Sequence, residues 1–383
     1  MHHKNTVIHG LLKAIPRWRF ERLVNERRGV YRDRTLSFWN QFGALIYAQL
    51  AGVQSLRELV GSLDSQTNLL YHLGMEPVAR STLSDANRDR PASIFAAIFD
   101  VLLPQALGER RQEASQVVRL IDSTSVRLSD VLSGWAHYKK GQAGAKLHLV
   151  FDPNETCPTY FSITPMRVND VVEAKKISIE PGVTYVFDRG YYDFGWWAAL
   201  DEAGCRFVTR FKHNTPLKIV TELPVEEGGQ ILSDRIGFLP ERMAKSRRNP
   251  IQQAVREVCV RTDKGKEIRL ISNDLDATAA EIAELYRTRW QIELFFKWVK
   301  QNLRIKKFLG LSENAVRLQI IVALIAFLLI RMAHHAMGLT ISLQDLARRL
   351  RTNLMHRKSL TEMLIRPSPP IPSDQFALDL RHG

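Results

Sequence analysis

Through residue 112 or so, apolar residues recur at helical spacing. They mark one amphipathic stretch from His9 to Val24, another from Ser37 to Leu50 and a shorter one from Leu56 to Leu63. The segment ARSTLSDANRDRP reads as the turn and second helix of a helix-turn-helix over Ser81 to Arg90, with Arg80, Asn87, Arg88 and Arg90 facing outward. From Gln116 the pattern shortens to that of strands: VVRLID, a polar excursion SGWAHYKKGQAG, then AKLHLVFD and TYFSITP. A helix from Asn169 to Ile179, the strand VTYVFD, a helix from Tyr192 to Glu202 and the strand CRFVTRF follow. Three strands, a helix and a returning strand predict that the first and fourth strands are parallel neighbours. Asp122 and Asp188, which close VVRLID and VTYVFD, would then meet.

Between Asn214 and Asp276 the pattern is β-rich and irregular, with a basic turn KSRRNP. VREVCVRT and KEIRLIS flank Asp263-Lys264-Gly265, a hairpin signal. The spacing of Thr278 and Glu281 is that of a capping box and predicts the start of a long helix. Leu285, Ile292, Phe296, Val299 and Leu303 form its apolar stripe. Beside that stripe lie Tyr286, Arg289, Glu293 and Lys300, which at ~100° per residue fall within about 60° of arc. Another helix begins at Ser312 and contains the apolar run IIVALIAFLLI between Arg317 and Arg331, too short to cross a bilayer and read as buried core. His334 and His335 end it without metal-ligand spacing. The tail RPSPPIPSD is proline-rich and expected to be extended.

A carboxylate flanked on one helix face by a phenol and two cations suits a divalent metal acting on a phosphate backbone. Two further carboxylates at the ends of neighbouring strands could complete the donor set. Net charge supports a polyanionic partner: the 383 residues carry +14. Much of the excess lies after Tyr286, at Arg304, Lys306, Lys307, Arg348, Arg349, Arg351, Arg357 and Lys358, and near the start, at Arg17, Arg19, Arg22, Arg27, Arg28, Arg32 and Arg34. Charge alone fits DNA, RNA or an anionic membrane, and the carboxylates favour DNA. Cys157, Cys205 and Cys259 are three, far apart and without metal spacing, which with the lack of a secretory h-region fits a reducing cytoplasm, and the short apolar run leaves no membrane partner expected. Neither a phosphate-binding glycine loop nor an internal repeat is visible. A carboxylate-pair glycosidase would have no need of the cationic face.

Asp122 in IDST, Asp188 in FDRGYYD and Glu293 in YRTRWQIELFFK resemble the Asp-Asp-Glu triad of bacterial insertion-sequence transposases with the Tyr-Arg-Glu-Lys signature, of the insertion-sequence-four type. Most of the chain takes part, since NTVIHGLLKAIPRWRFERLV and TLSFWNQFGALIYAQLAGVQSLREL resemble the helical front domain of one branch. The resemblance implies an α/β protein with a ribonuclease-H-like core at 113–214 and 276–340, a β-rich insertion at 215–275, a DNA-binding helical N-terminal domain at 1–112 and a basic C-terminal tail at 341–383. It implies two Mg2+ ions, with Mn2+ able to substitute, Asp122 bridging them and Asp188 and Glu293 each holding one. Tyr286, Arg289 and Lys300 would contact DNA phosphates, joined at the rim by Arg210 and Lys212. Cut-and-paste transposition by a homodimer on paired element ends would follow, with double-stranded end and target DNA as partners. All seven Trp lie outside Asn214 to Asp276, where Phe238 is the sole aromatic, so a DNA-hairpin step stays open. Two alternatives are a ribonuclease-H-like nuclease that does not join strands and a domesticated, non-catalytic DNA-binding protein.

Overall fold

A computed structural model describes residues 5–30, 35–108, 117–128, 135–139, 142–242, 248–303 and 308–364. Arg32, Arg34, residues 245–247 of the basic turn, Arg304, Lys306, Lys307 and the RPSPPIPSD tail lie outside them, as does part of the polar excursion.

The front of the chain is helical: α1 Val7–Leu12, α2 Arg17–Arg27, α3 Phe38–Ala51, α4 Leu56–Asp64, α5 Thr67–Leu70, α6 Arg80–Asp89 and α7 Ala92–Leu107. The single stretch expected from His9 to Val24 is two helices, because Pro16 lacks an amide proton and sits instead as the N-cap of α2. Ser37 and Ser55 cap α3 and α4, accepting from the amides of Asn40 at 3.0 Å and Glu58 at 3.1 Å. Residues 38–50 of α3 are all buried, so α3 has no solvent face and is the centre of the helical layer.

That burial overturns the outward recognition helix. Asn87 and Arg90 are only 3% and 8% exposed. Gln41 of α3 donates to Asn87 at 2.9 Å and accepts from Arg90 at 3.2 Å, while the Arg90 guanidinium lies 4.2 Å over the Phe38 ring. A buried polar side chain needs such partners. Helix α6 therefore packs inward through these two residues and leaves Arg80 and Arg88 exposed.

The strands are β1 Val118–Leu128, β2 His137–Lys139, β3 Gln142–Asp152, β4 Cys157–Pro165, β5 Thr184–Phe187, β6 Arg206–Arg210, β7 Lys218–Leu223, β8 Ile231–Phe238, β9 Val255–Arg261 and β10 Glu267–Ser272. They form one mixed sheet in the order β2-β3-β1-β5-β6-β10-β9-β8-β7, with β4 on β3. β1, β5 and β6 run parallel and the remaining pairs antiparallel. The β-rich segment thus extends the central sheet through β10, which pairs with β6. Its predicted hairpin turns at Gly265, whose φ of 72° suits a residue without Cβ.

Successive residues of a strand face opposite sides. Leu120 joins a large apolar cluster with the helical layer, while Ile121 joins a second cluster under α9, Phe194–Glu202. Helix α8, Asp170–Ala174, is shorter than expected. The predicted capping box at Thr278 and Glu281 is present and opens α10, Ala279–Thr288; α11 is Trp290–Asn302. Helix α12, Glu313–Ala336, is long and apolar enough to cross a membrane, yet residues 320–330 are all buried, against α3, α7 and the sheet-side core. Arg317 and Arg331 at its flanks donate to Ile163 O and Glu155. Where a basic tail was expected, α13, Leu343–Asn353, buries Leu346, Ala347 and Leu350 at helical spacing, followed by α14, Leu360–Leu364. The backbone after α13 accepts from the first residues of α1.

Candidate active site

The parallel register sets two aspartates side by side. Ile121 of β1 pairs with Phe187 of β5, and Asp122 and Asp188 are the next residue on each strand. Asp188 ends its strand, and its Oδ1 accepts the Gly190 amide at 2.7 Å. Asp122 lies inside a strand where an end was expected, because β3 continues to pair with β1 as far as Leu128 after β5 has stopped.

Glu293 arrives on α11. The expected single long helix is interrupted at Arg289, where the Thr288 hydroxyl bonds Leu285 O at 2.7 Å and the Arg289 amide reaches back three residues to Tyr286 O at 3.3 Å. Backbone dihedrals at Arg289 stay helical, so the face continues across the break. Ile292, Phe295, Phe296 and Val299 bury the opposite flank, with Phe295 5.2 Å from the Phe151 ring of β3. This packing turns Glu293 toward β1.

A single guanidinium then ties the carboxylates together. Arg289 Nη2 lies 2.7 Å from Glu293 Oε1 and Nη1 3.6 Å from Asp122 Oδ2. The residue is only 8% exposed, and its guanidinium carbon lies 5.5 and 5.7 Å from the centroids of the Tyr286 and Trp290 rings. Burial pushes the Asp122 carboxyl up to about 7, and the Asp188 and Glu293 charges push the same way against the Ser123 amide and Arg289. Burial also raises the Tyr286 phenol.

Two clefts open on either side of this cluster. One, of about 690 Å³, is lined by Asp188, Arg189, Gly190, Arg210, Lys212, His213, Asn214, Tyr286 and Arg289. The other, of about 440 Å³, is lined by Asp122, Ser123, Thr124, Glu293, Phe296, Lys297, Lys300 and Gln301. Lys300 Nζ is 2.5 Å from Thr124 Oγ1, and Lys212 Nζ stands 4.1 Å over the Tyr192 ring. All eight residues singled out in the sequence therefore line these clefts. Arg189, His213 and Lys297 were missed; Lys297 could have been found one turn after Glu293. Trp290, 58% exposed, was also missed and lines an apolar cavity of about 1100 Å³ between β8–β10 and α10.

Residues 113–329 match the family described as the transposase DDE domain. The chain belongs to that family. Residues 3–76 match a domain of unknown function. The protein y4zB of Sinorhizobium fredii, named as a transposase, is 38% identical over 317 residues, covering 82% of this chain and 86% of its own. A protein named as the transposase of insertion sequence element IS5377 from Geobacillus stearothermophilus is 27% identical over 335 residues, 86% and 85% of the two chains. One named for insertion sequence element IS4SA of Synechocystis is 26% identical over 270 residues, 67% and 72% of the two. Among solved structures, the piggyBac transposase synaptic complex with hairpin DNA aligns with a TM-score of 0.49 at 13% identity, covering 94% of this chain and 80% of that one. The protein is thus a DDE transposase of the insertion-sequence-four-like type, an enzyme that acts on DNA and depends on a divalent metal.

Proposed function

We propose that Asp122, Asp188 and Glu293 are the catalytic carboxylates, that they hold Mg2+, with Mn2+ able to substitute, and that the enzyme cuts at inverted-repeat ends and joins them to target DNA. The observation that carries this reading is the Arg289 guanidinium seated between Asp122 and Glu293. Hard oxygen donors around a cation are the donor chemistry a divalent ion requires. Among the described residues no three His, Cys, Asp or Glu side chains are drawn closely enough to enclose an ion alone. DNA oxygens and water would complete the donor set of any ion these carboxylates hold. When bound, such ions activate the attacking oxygen and stabilise the leaving one in an in-line displacement.

The chain's own groups divide the remaining work. Lys300, Lys212 and Arg210 flank the carboxylates from the two clefts and would hold phosphates on either side of the scissile bond. Tyr286 would hydrogen-bond the same backbone. Arg289, released from Asp122 and Glu293 when those carboxylates hold an ion, would take a phosphate, which its planar fork suits. Tyr286, Arg289, Glu293 and Lys300 together would make the Tyr-Arg-Glu-Lys signature.

The strand order β4-β3-β1-β5-β6, with its parallel β1–β5 pair, supports a ribonuclease-H-like core at 113–214 and 276–340 and a β insertion at 215–275. Within the same proposal, residues 1–112 contribute to DNA binding, two chains act on paired ends, and the enzyme works at the nucleoid in the cytoplasm. Replacing Asp122→Asn, Asp188→Asn or Glu293→Gln keeps side-chain volume and removes one metal-holding charge. Each should reduce Mg2+-dependent cleavage of end DNA by at least 100-fold while leaving end binding in place. Wild-type cleavage by any one of them would remove that residue from the assignment, and products cut without joining would favour a simple nuclease.

A further inference from the structure

Asp170 opens α8, and its carboxylate bonds the residue after Asp122 and lies on the side of the turn that follows Asp188. Oδ1 accepts the Ser123 hydroxyl at 2.7 Å, pairs with Lys146 Nζ at 3.1 Å and faces His148 Nδ1 at 3.5 Å. Oδ2 points at Gly190: a Cβ placed on that glycine would stand 3.6 Å from it and 2.8 Å from Asp188 Oδ1. Ser123 directly follows Asp122, and Gly190 is two residues after Asp188. Helix α8 packs against both β1 and the turn that carries Gly190. Asp170 thus bonds the segment after Asp122 directly, and its helix packs on the turn after Asp188.

The surroundings make this contact stiff. Lys146 is 13% exposed at its side chain and also donates to Val168 O at 2.8 Å, so the ammonium that neutralises Asp170 is itself fixed. His148 is buried and its Nε2 is bonded to Thr164 Oγ1 at 2.8 Å. Tyr191, 2% exposed, follows Gly190 and is anchored in the apolar cluster with Ile121 and Phe187, its ring centroid 6.1 Å from that of Phe187. The turn after Asp188 is thus held by packing as well. With Oδ1 taken by a hydroxyl and an ammonium, Asp170 is better placed to hold Ser123 than to bind an ion.

We infer that Asp170 is a positioning residue: through its bond to Ser123 on one side and the packing of its helix on the Gly190 turn on the other, it sets the separation of Asp122 and Asp188 and so the affinity of that pair for a divalent cation. The inference rests on the reading that those two aspartates hold the metal. Groups that orient metal ligands commonly change metal affinity by about 10–100-fold when removed. Release of Ser123 acts on the ligand that follows it in the chain, so the loss should fall on metal binding and leave the chemistry at saturating metal largely intact.

The test uses the full chain. Mn2+ binding is read from the free-ion electron paramagnetic resonance signal without DNA, the Mg2+ dependence of end cleavage is titrated, and melting temperature is recorded. Asp170→Asn and Ser123→Ala should each weaken Mn2+ binding by about 10–100-fold and raise the half-saturating Mg2+ to match, with cleavage at saturating Mg2+ within a few-fold of wild type. Ser123→Thr, which keeps the hydroxyl, should recover most of the loss. Should Asp170→Asn fail to fold, Ser123→Ala and Ser123→Thr probe the same contact. Wild-type Mn2+ affinity and Mg2+ midpoint in Asp170→Asn or Ser123→Ala, beside an Asp122→Asn control that has lost both, would overturn the positioning role alone. A rate lowered equally at every Mg2+ concentration, with a lowered melting temperature, would do the same by showing a merely structural part. If Asp122→Asn itself binds Mn2+ as wild type does, the metal assignment falls and the inference with it.

Discussion

At the scale of the residue, the carboxylate of Asp122 is the group most displaced from its ordinary behaviour. Burial carries its pKa in the folded protein up to about 7, from the 3.8 of an unperturbed aspartate. Between those values the native state binds more protons than the unfolded chain, so stability of the metal-free protein falls as pH rises from about 4 through about 7. Above pH 7 the full cost of a buried, crowded carboxylate is present. Asp122→Asn removes it. Its melting temperature relative to wild type, measured in EDTA, should therefore rise between pH 5 and pH 8; a difference independent of pH would refute the crowding. Metal and proton compete for the same oxygens, so Mg2+ activation should strengthen over the same interval.

Arg289 poses a choice at the same scale. A guanidinium pairing with Glu293 four residues along its own helix could be only a local prop, which at an exposed site is worth about 0.3–0.5 kcal/mol. Here it is buried and bridges to Asp122 on another element, so its removal exposes two carboxylates to each other. Arg289→Ala should lower end affinity, reduce the slope of log affinity against log salt by roughly one and cut cleavage at least 10-fold. Arg289→Lys should recover only part, having lost the fork. Unchanged salt dependence and rate in Arg289→Ala would leave the residue a structural role alone.

At the scale of the element, what the sequence disclosed depended on how local each cause was. β1 and β5 were readable because both end their parallel pairing in an apolar run followed by Asp. The hairpin at Gly265 and the capping box at Thr278 were readable for the same reason, since every group involved lies within four residues. Helix α6 was not, because the burial of Asn87 and Arg90 is decided by Gln41, more than forty residues away. Asp170 was hidden in the same way: its partners come from β1 and β3. Arg90→Ala should leave Gln41 short of a partner and cost about 2–3 kcal/mol in denaturant unfolding, without altering the salt slope of end binding. Gly265→Ala, at a φ of 72°, should cost about 1 kcal/mol and leave cleavage unchanged, since the turn lies away from the carboxylates. A change of salt slope in Arg90→Ala would return α6 to the DNA interface.

At the scale of the molecule, one large apolar cluster joins the helical layer, α12, α13 and one face of the sheet. Helix α12 lies at its centre, which accounts for a helix of membrane-crossing length and composition inside a DNA enzyme. The carboxylates therefore sit on a stiff base, and each chain offers a single cluster of Asp122, Asp188 and Glu293. Joining two element ends to one target requires two strand-transfer events, and one cluster of this kind serves one end at a time. The complex assembled on a pair of ends should accordingly contain two chains. Mass photometry of the purified complex in Ca2+, or with catalytically inert Glu293→Gln, gives its mass directly. Twice the 43.9 kDa chain plus two end duplexes is expected. Mixing Glu293→Gln with wild-type chains should then yield complexes that cut one end but not both. A mass of one chain on paired ends, or full double-end cutting in proportion to the wild-type fraction, would show that a single chain handles both ends in turn.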